Sequence, residues 1–194
     1  MKKIQYNLEN ANVTLFEDFF KKEESDQLFN NLINNVDWKQ EKIKMYGKVH
    51  NLPRLTEVFG NKGLTYTYSR IQSTALGWVN KDVDHIRNTI IKELGIKFNF
   101  CLLNYYRRGN DKVSWHQDNE PQLGKNPIIA SVSFGHPRNF QLRRVDDHKE
   151  KEEIILPHGS LLLMQGGTQH YWEHQIPSTK KDIGSRINLT FRIL

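Results

Sequence analysis

A single cysteine in 194 residues, Cys101, excludes an internal disulfide, and such a chain suits a reducing compartment. Cys101 sits in the apolar run FNFCLLNYY, where a small core residue is expected rather than a nucleophile. No run is long enough to cross a bilayer, so no membrane partner is expected. The opening MKKIQYNLENANVTLF carries lysines with no apolar stretch behind them, which is not a signal-peptide pattern. Internal repeats and low-complexity linkers are missing as well. Acidic residues are in deficit: 22 Asp and Glu against 28 Lys and Arg give a net charge of +6, and the pI is about 9.3. That balance favours a polyanionic partner, with nucleic acid first.

What is present fits one domain with an N-terminal extension. Residues 1–95 read as helices around a loop-rich middle. Val13 to Phe20 is apolar and leads into KKEESDQLFNNLINNV, where Leu28, Leu32 and Val36 repeat at helical spacing and Ser25 is the expected cap. A second helix is expected over Lys81–Leu94, with Val83, Ile86, Ile90 and Leu94 on one face and Gly95 as its stop. Residues 96–194 read as strands: FNFCLLNYY, PIIASVSFG, RNFQLRR, EEIILPHGS, SLLLMQGG and RINLTFRIL. Many short strands broken by Gly, Pro and Asn predict a jelly-roll core, and the whole a mostly β, α+β protein. The charged stretch 143–153 is expected to be a solvated hairpin loop.

The chemistry concentrates in that second part. WHQD supplies His116 and Asp118, which share a face on an extended segment. A third ligand lies further on, at His170 or His174, and spacing alone does not choose between them. Two imidazoles and one carboxylate form the facial ligand set of non-haem Fe(II) oxygenases. The last strand alternates strictly: Arg186, Asn188, Thr190 and Arg192 share one face, while Ile187, Leu189, Phe191 and Ile193 share the other. Two arginines aimed into a barrel need anions. Those anions are either internal Asp and Glu or the carboxylates of a bound keto acid.

These motifs resemble the AlkB family of Fe(II)/2-oxoglutarate-dependent dioxygenases, in its nucleic-acid repair branch. The match runs from about Tyr46 to the C-terminus through NLPRLTEVFG, GLTYTYSR, FNFCLLNYYRRG, VSWHQDNEPQLGKNPIIASVSFG, LPHGSLLLMQG, HQIPSTKK and RINLTFRIL. The resemblance implies Fe(II), 2-oxoglutarate and O₂ as cofactors. It selects His174 as the third iron ligand, since a proline follows in HQIP, and leaves His170 outside the ligand set. It assigns Asn104, Tyr106, Arg186, Asn188 and Arg192 to 2-oxoglutarate. It also implies a nucleotide-recognition lid ahead of the barrel, with Arg54, Tyr66 and Tyr68 in it. Tyr68 and the His116 ring would flank a flipped base, and Glu120 would meet that base's amino edge. Tyr46, among Lys42, Lys44 and Lys48, matches an aromatic finger that enters a duplex. Asn119 departs from the second Asp that these relatives carry. The implied activity is oxidative demethylation of 1-methyladenine and 3-methylcytosine in alkylated DNA, and in RNA, by a monomer in nucleus or cytoplasm. RNA modification, or a protein or lipid substrate, is the alternative.

Overall fold

The computed structural model describes all residues except Tyr46, Ser69 and Arg70, and of Lys44, Met45, Tyr68 and Ile71 only the backbone. A seven-stranded antiparallel sheet forms the frame, in the order β1 (Lys2–Tyr6), β2 (Asn12–Glu17), β13 (Ser160–Gln165), β10 (Ile129–Gly135), β15 (Arg186–Arg192), β8 (Phe100–Tyr106), β5 (Leu55–Gly60). A four-stranded sheet runs β12 (Lys151–Leu156), β11 (Arg138–Arg144), β14 (Trp172–Ile176), β9 (Val113–His116). Two hairpins, β3 (Lys42–Met45) with β4 (Lys48–Asn51) and β6 (Thr65–Tyr68) with β7 (Ile71–Thr74), stand apart from both sheets. The antiparallel sheets are those of the expected jelly-roll core.

Helix α1 (Lys22–Asn35) and helix α2 (Lys81–Leu94) cover one face of the large sheet. Leu28 and Leu32 of α1, and Val83, Ile86 and Ile90 of α2, pack on Cys101, Leu103, Val132, Ile187, Leu189 and Phe191. Helix α2 begins and ends where its sequence says. The Asn80 carboxamide accepts from the amides of Asp82 and Val83, and Gly95 closes it in the left-handed region at φ 70°. Helix α1 begins earlier than expected. Its cap position is Lys21, which gives no side-chain cap, and Ser25 lies inside the first turn with its hydroxyl donated to the Phe20 carbonyl.

The other face of the large sheet meets the small one. Phe100, Leu102, Ile129, Leu162 and Met164 pack there against Phe140, Leu142, Ile154, Trp172 and Ile176. The N-terminal half differs from the expected loop-rich arrangement. Seven strands, β1 to β7, lie before α2, and β1, β2 and β5 complete the large sheet at its two edges. Val13–Glu17 is strand rather than an entry to α1. The 143–153 stretch is a hairpin whose turn is only 145–150; Arg144 is buried and binds Glu9, Asp146 and Glu150.

Candidate metal centre and co-substrate pocket

The two histidines meet because their strands pair. His174 in β14 is the Cα partner of His116 at the end of β9, and their ring centroids lie 4.2 Å apart. Asp118 lies two residues beyond the strand end and turns back beneath them. One ligand atom from each of His116, Asp118 and His174 lies within 4.8 Å of the other two, the spacing a single ion needs. His170 does not join them: it is exposed in the short helix α3 (Thr168–Tyr171), with its ring on the Lys125 carbonyl.

Local packing fixes each ligand. The His116 Nδ1 sits 2.8 Å from the Ser114 carbonyl, which orients the ring. The His174 ring stacks on Phe140 at 5.0 Å, and its Nδ1 is buried without a hydrogen-bond partner. Burial, with His116 beside it, pushes His174 down to about 3, so its imidazole is a neutral ligand at physiological pH. Burial also lowers His116. Burial alone would raise the Asp118 carboxyl. The charges of Arg192, His174 and His116 outweigh it and hold Asp118 at about 2.

The last strand presents its polar face to this centre. Arg54, Asn104, Tyr106, Ser131, Arg186, Asn188, Thr190 and Arg192 line, with the ligand triad, one small cavity. The register explains the grouping: Asn188 is paired with Asn104 on one side and Ser133 on the other, and Arg186 with Tyr106. Asn188 donates to the Ser131 hydroxyl at 2.7 Å and to the Val132 carbonyl at 3.0 Å.

The two arginines differ. Arg192 donates to Asp118 Oδ1 at 2.9 Å, so the acid it finds is the triad's own carboxylate. Arg186 is 1% exposed and donates to the Ser133 hydroxyl at 2.9 Å, with no carboxylate beside it among the described residues; as in Arg192, its Nε and Nη1 have no hydrogen-bond partner there. Its guanidinium lies 5.2 Å from the Tyr106 ring centroid, and burial brings its pKa down to about 10. A buried guanidinium with unused donors calls for an anion, and a carboxylate suits it. The ligand triad, the orphaned guanidinium and the cavity joining them therefore fit Fe(II) and a dicarboxylate keto acid.

Around the mouth, Arg54 is buried and donates through Nε to Asn104 Oδ1 at 2.7 Å and through Nη1 to the Lys112 carbonyl. That places it within the site. The Tyr66 ring is core, packed 5.3 Å from Phe100, and its hydroxyl donates to Glu120 Oε2 at 2.8 Å. Burial raises the Tyr66 hydroxyl well above its ordinary range, so it stays a donor. Asn119 is exposed and its carboxamide donates to Gln117 Oε1. The finger residue Tyr46 and the side chain of Tyr68 lie outside the described residues. Sequence reasoning missed Phe140, Ser131, Ser133 and Gln169, which accepts the Asp118 amide at 2.9 Å. A period-2 reading of PIIASVSFG held a signal for the two serines, which alternate with Ala130, Val132 and Phe134; Gln169 had none.

The model of the 2OG-Fe(II) oxygenase superfamily matches residues 12–192. Alpha-ketoglutarate-dependent dioxygenase alkB homolog 3 of Bos taurus is 38% identical over 94% of this chain, and this chain spans 66% of that protein's length. DNA oxidative demethylase ALKBH2 of Mus musculus is 37% identical, with 89% of this chain and 76% of that protein covered. Among solved structures, OsALKBH1 aligns with a TM-score of 0.63 at 17% identity, covering 98% of this chain and 99% of that one, a likeness of fold. The chain belongs to the 2OG-Fe(II) oxygenase superfamily, whose cofactors are Fe(II), 2-oxoglutarate and O₂, and within it to the AlkB homologues.

Proposed function

We propose that this chain is an oxidative demethylase of N-alkylated nucleobases, with 1-methyladenine and 3-methylcytosine in DNA as substrates and RNA as a second nucleic acid. Its relatives' names, DNA oxidative demethylase and alpha-ketoglutarate-dependent dioxygenase, support it. So does the chain's net charge of +6. The observation that carries it is a tether from cavity to mouth. Asp118 holds Arg192, the Arg192 guanidinium lies 5.2 Å from the Tyr66 ring, and the Tyr66 hydroxyl holds Glu120. A carboxylate is thus tied, through Tyr66 and Arg192, to Asp118 of the ligand triad, and it would serve as the acceptor for the amino edge of a cationic methylated base.

In this reading His116, Asp118 and His174 hold Fe(II), and Arg186, with Asn104, Tyr106, Asn188 and Arg192, holds 2-oxoglutarate. When bound, the iron, keto acid and O₂ supply the oxidant that hydroxylates an N-methyl group, with succinate and CO₂ as co-products. The chain's part is placement. Arg186 offers its charge and an unused donor to the distal carboxylate. Glu120 aligns the base so that its methyl group faces the triad. The hydroxymethyl group then leaves the ring nitrogen as formaldehyde while its hydroxyl proton is lost to water. Residues 1–95 supply the N-terminal helices and the recognition lid, within the same domain as the catalytic core of residues 96–194, whose large sheet β1, β2 and β5 extend. Arg54, through Asn104, ties the two together, and Tyr46 and Tyr68 keep the stacking roles that the resemblance implies. We place the protein in the nucleus or cytoplasm, as a monomer.

Formaldehyde release from a panel of methylated single-stranded DNA, duplex DNA and RNA tests the proposal. Release that requires Fe(II) and 2-oxoglutarate, with Tyr46→Ala losing activity on duplex alone, is expected. Succinate formation that no methylated oligonucleotide stimulates would refute the reading and leave the protein or lipid alternative.

A further inference from the structure

Asp118 is the one member of the ligand triad that no strand holds, since β9 ends at His116. Its backbone is fixed from elsewhere. The Asp118 amide donates to Gln169 Oε1 at 2.9 Å across 51 residues of sequence, and Gln169 is 0% exposed. A second bond runs alongside, from Gln117 Nε2 to the His170 carbonyl at 3.2 Å. Both acceptors belong to α3, the turn that leads straight into β14 and His174.

Helix α3 is itself held firmly. The Thr168 hydroxyl donates to the Gln165 carbonyl at 2.6 Å and accepts the Asn12 amide at 2.9 Å, which stitches the turn to β13 and β2. Gly167 leaves no room to shift: a Cβ there would lie 2.6 Å from the Asn10 carbonyl and 3.1 Å from the Tyr171 ring. The Gln169 amide nitrogen meets the Met164 sulfur at 3.5 Å, and Met164 lines the metal cavity. One short turn therefore joins the segment carrying Asp118 to the segment carrying His174.

We propose that Gln169 is a positioning residue: with Gln117 it clips the Asp118 segment to α3 and fixes the separation of Asp118 from His174, and thereby the affinity for the metal. The inference rests on the reading of His116, Asp118 and His174 as metal ligands. A role in packing alone would affect folding without favouring the metal.

The test is binding of Mn(II) alone, a redox-inert probe, to the full chain, followed through the signal of the free ion. Gln169→Leu removes the acceptor at similar volume, and Gln169→Glu keeps one. We expect Gln169→Leu to weaken Mn(II) about tenfold, as loss of an outer partner of a metal ligand typically does, and Gln169→Glu to bind several-fold more tightly than Gln169→Leu. Wild-type affinity in Gln169→Leu, or equal weakening in both variants, would overturn the proposal. Should Gln169→Leu fail to fold, Gln117→Ala carries the test, with a loss of about threefold expected for the lesser bond and unchanged affinity counting against the clip. His116→Ala separates the two levels: if it binds Mn(II) as the wild type does, the metal site itself is misread, whatever Gln169 does.

Discussion

The two faces of the seven-stranded sheet are built by the same strands yet differ: the helix face is apolar, while the face toward the small sheet carries a polar cavity beside its own apolar cluster. On β15, Ile187, Leu189 and Phe191 meet the helices, while Arg186, Asn188, Thr190 and Arg192 meet the cavity. On β10, Ala130, Val132 and Phe134 face the helices, and Ser131 and Ser133 join the polar side. On β8, Cys101 and Leu103 face the helices, and Asn104 and Tyr106 the cavity. One face gains stability from close apolar packing. The other buries guanidinium groups and amides, which is costly unless they find partners. Two nitrogens of Arg186 and two of Arg192 have none. Asymmetry of this kind marks the polar face as the working one.

Substitutions on the two faces should therefore separate activity from stability. The largest effect is expected at the triad. His116→Ala should lower Fe(II)-dependent succinate formation by well over about a hundredfold, beyond what outer partners of a metal cause. The loss should come without a matching fall in melting temperature; a variant that melts early and keeps its activity would dissolve the distinction. On the helix face, Phe191→Ala should cost about 3–5 kcal/mol in denaturant unfolding. The surviving folded enzyme should keep its KM for 2-oxoglutarate. Smaller still, Tyr66→Phe removes one hydrogen bond to Glu120, worth about 1 kcal/mol. It should lower kcat/KM for a methylated oligonucleotide about fivefold and leave turnover without oligonucleotide unchanged.

Acid offers another way to set the faces apart, because the polar cavity holds His174 and Asp118, both with depressed pKa values. The His174 pKa is depressed from 6.5 to about 3 on folding, so below pH 6.5 the unfolded chain binds a proton that the folded one refuses. Its contribution to stability is whole above that pH and is lost as pH falls toward 3. Asp118, depressed from 3.8 to about 2, adds a second loss below pH 4. The melting temperature of the metal-free protein should decline with acid from about pH 6.5. His174→Leu should flatten the first part of that decline, and an identical profile in the variant would assign it to other groups.

How far the sequence was legible follows from which signals are local. The alternation RINLTFR is complete within seven residues, and the structure places its two halves on two faces as the pattern requires. The Lys81–Leu94 helix carried both its apolar stripe and its caps. The choice between His170 and His174 depended on strand pairing across the small sheet, which no spacing reveals; β14 puts His174 opposite His116, while His170 falls in an exposed turn. Strand β1 was missed because a five-residue edge strand of Lys, Gln, Ile and Tyr carries little apolar signal, and β2, apolar as it is, reads equally as the entry to the helix that follows. Gln169 left no trace, since its partner lies 51 residues away. Tyr66 shows the reverse. The sequence placed it near a base, and the fold puts its ring in the core with only the hydroxyl reaching the site.

The central claim is that the polar face gives up stability to hold a keto acid, and Arg186→Met tests it most directly. Thermal melting without ligand and the KM for 2-oxoglutarate are measured on the same preparation. Removing a buried, half-partnered guanidinium should raise the ligand-free melting temperature by about 3 °C. It should also raise the KM at least about tenfold, through loss of a charge-assisted pair. A variant that melts lower than the wild type and binds 2-oxoglutarate equally well would make Arg186 an ordinary structural residue, and the account of the two faces would be wrong.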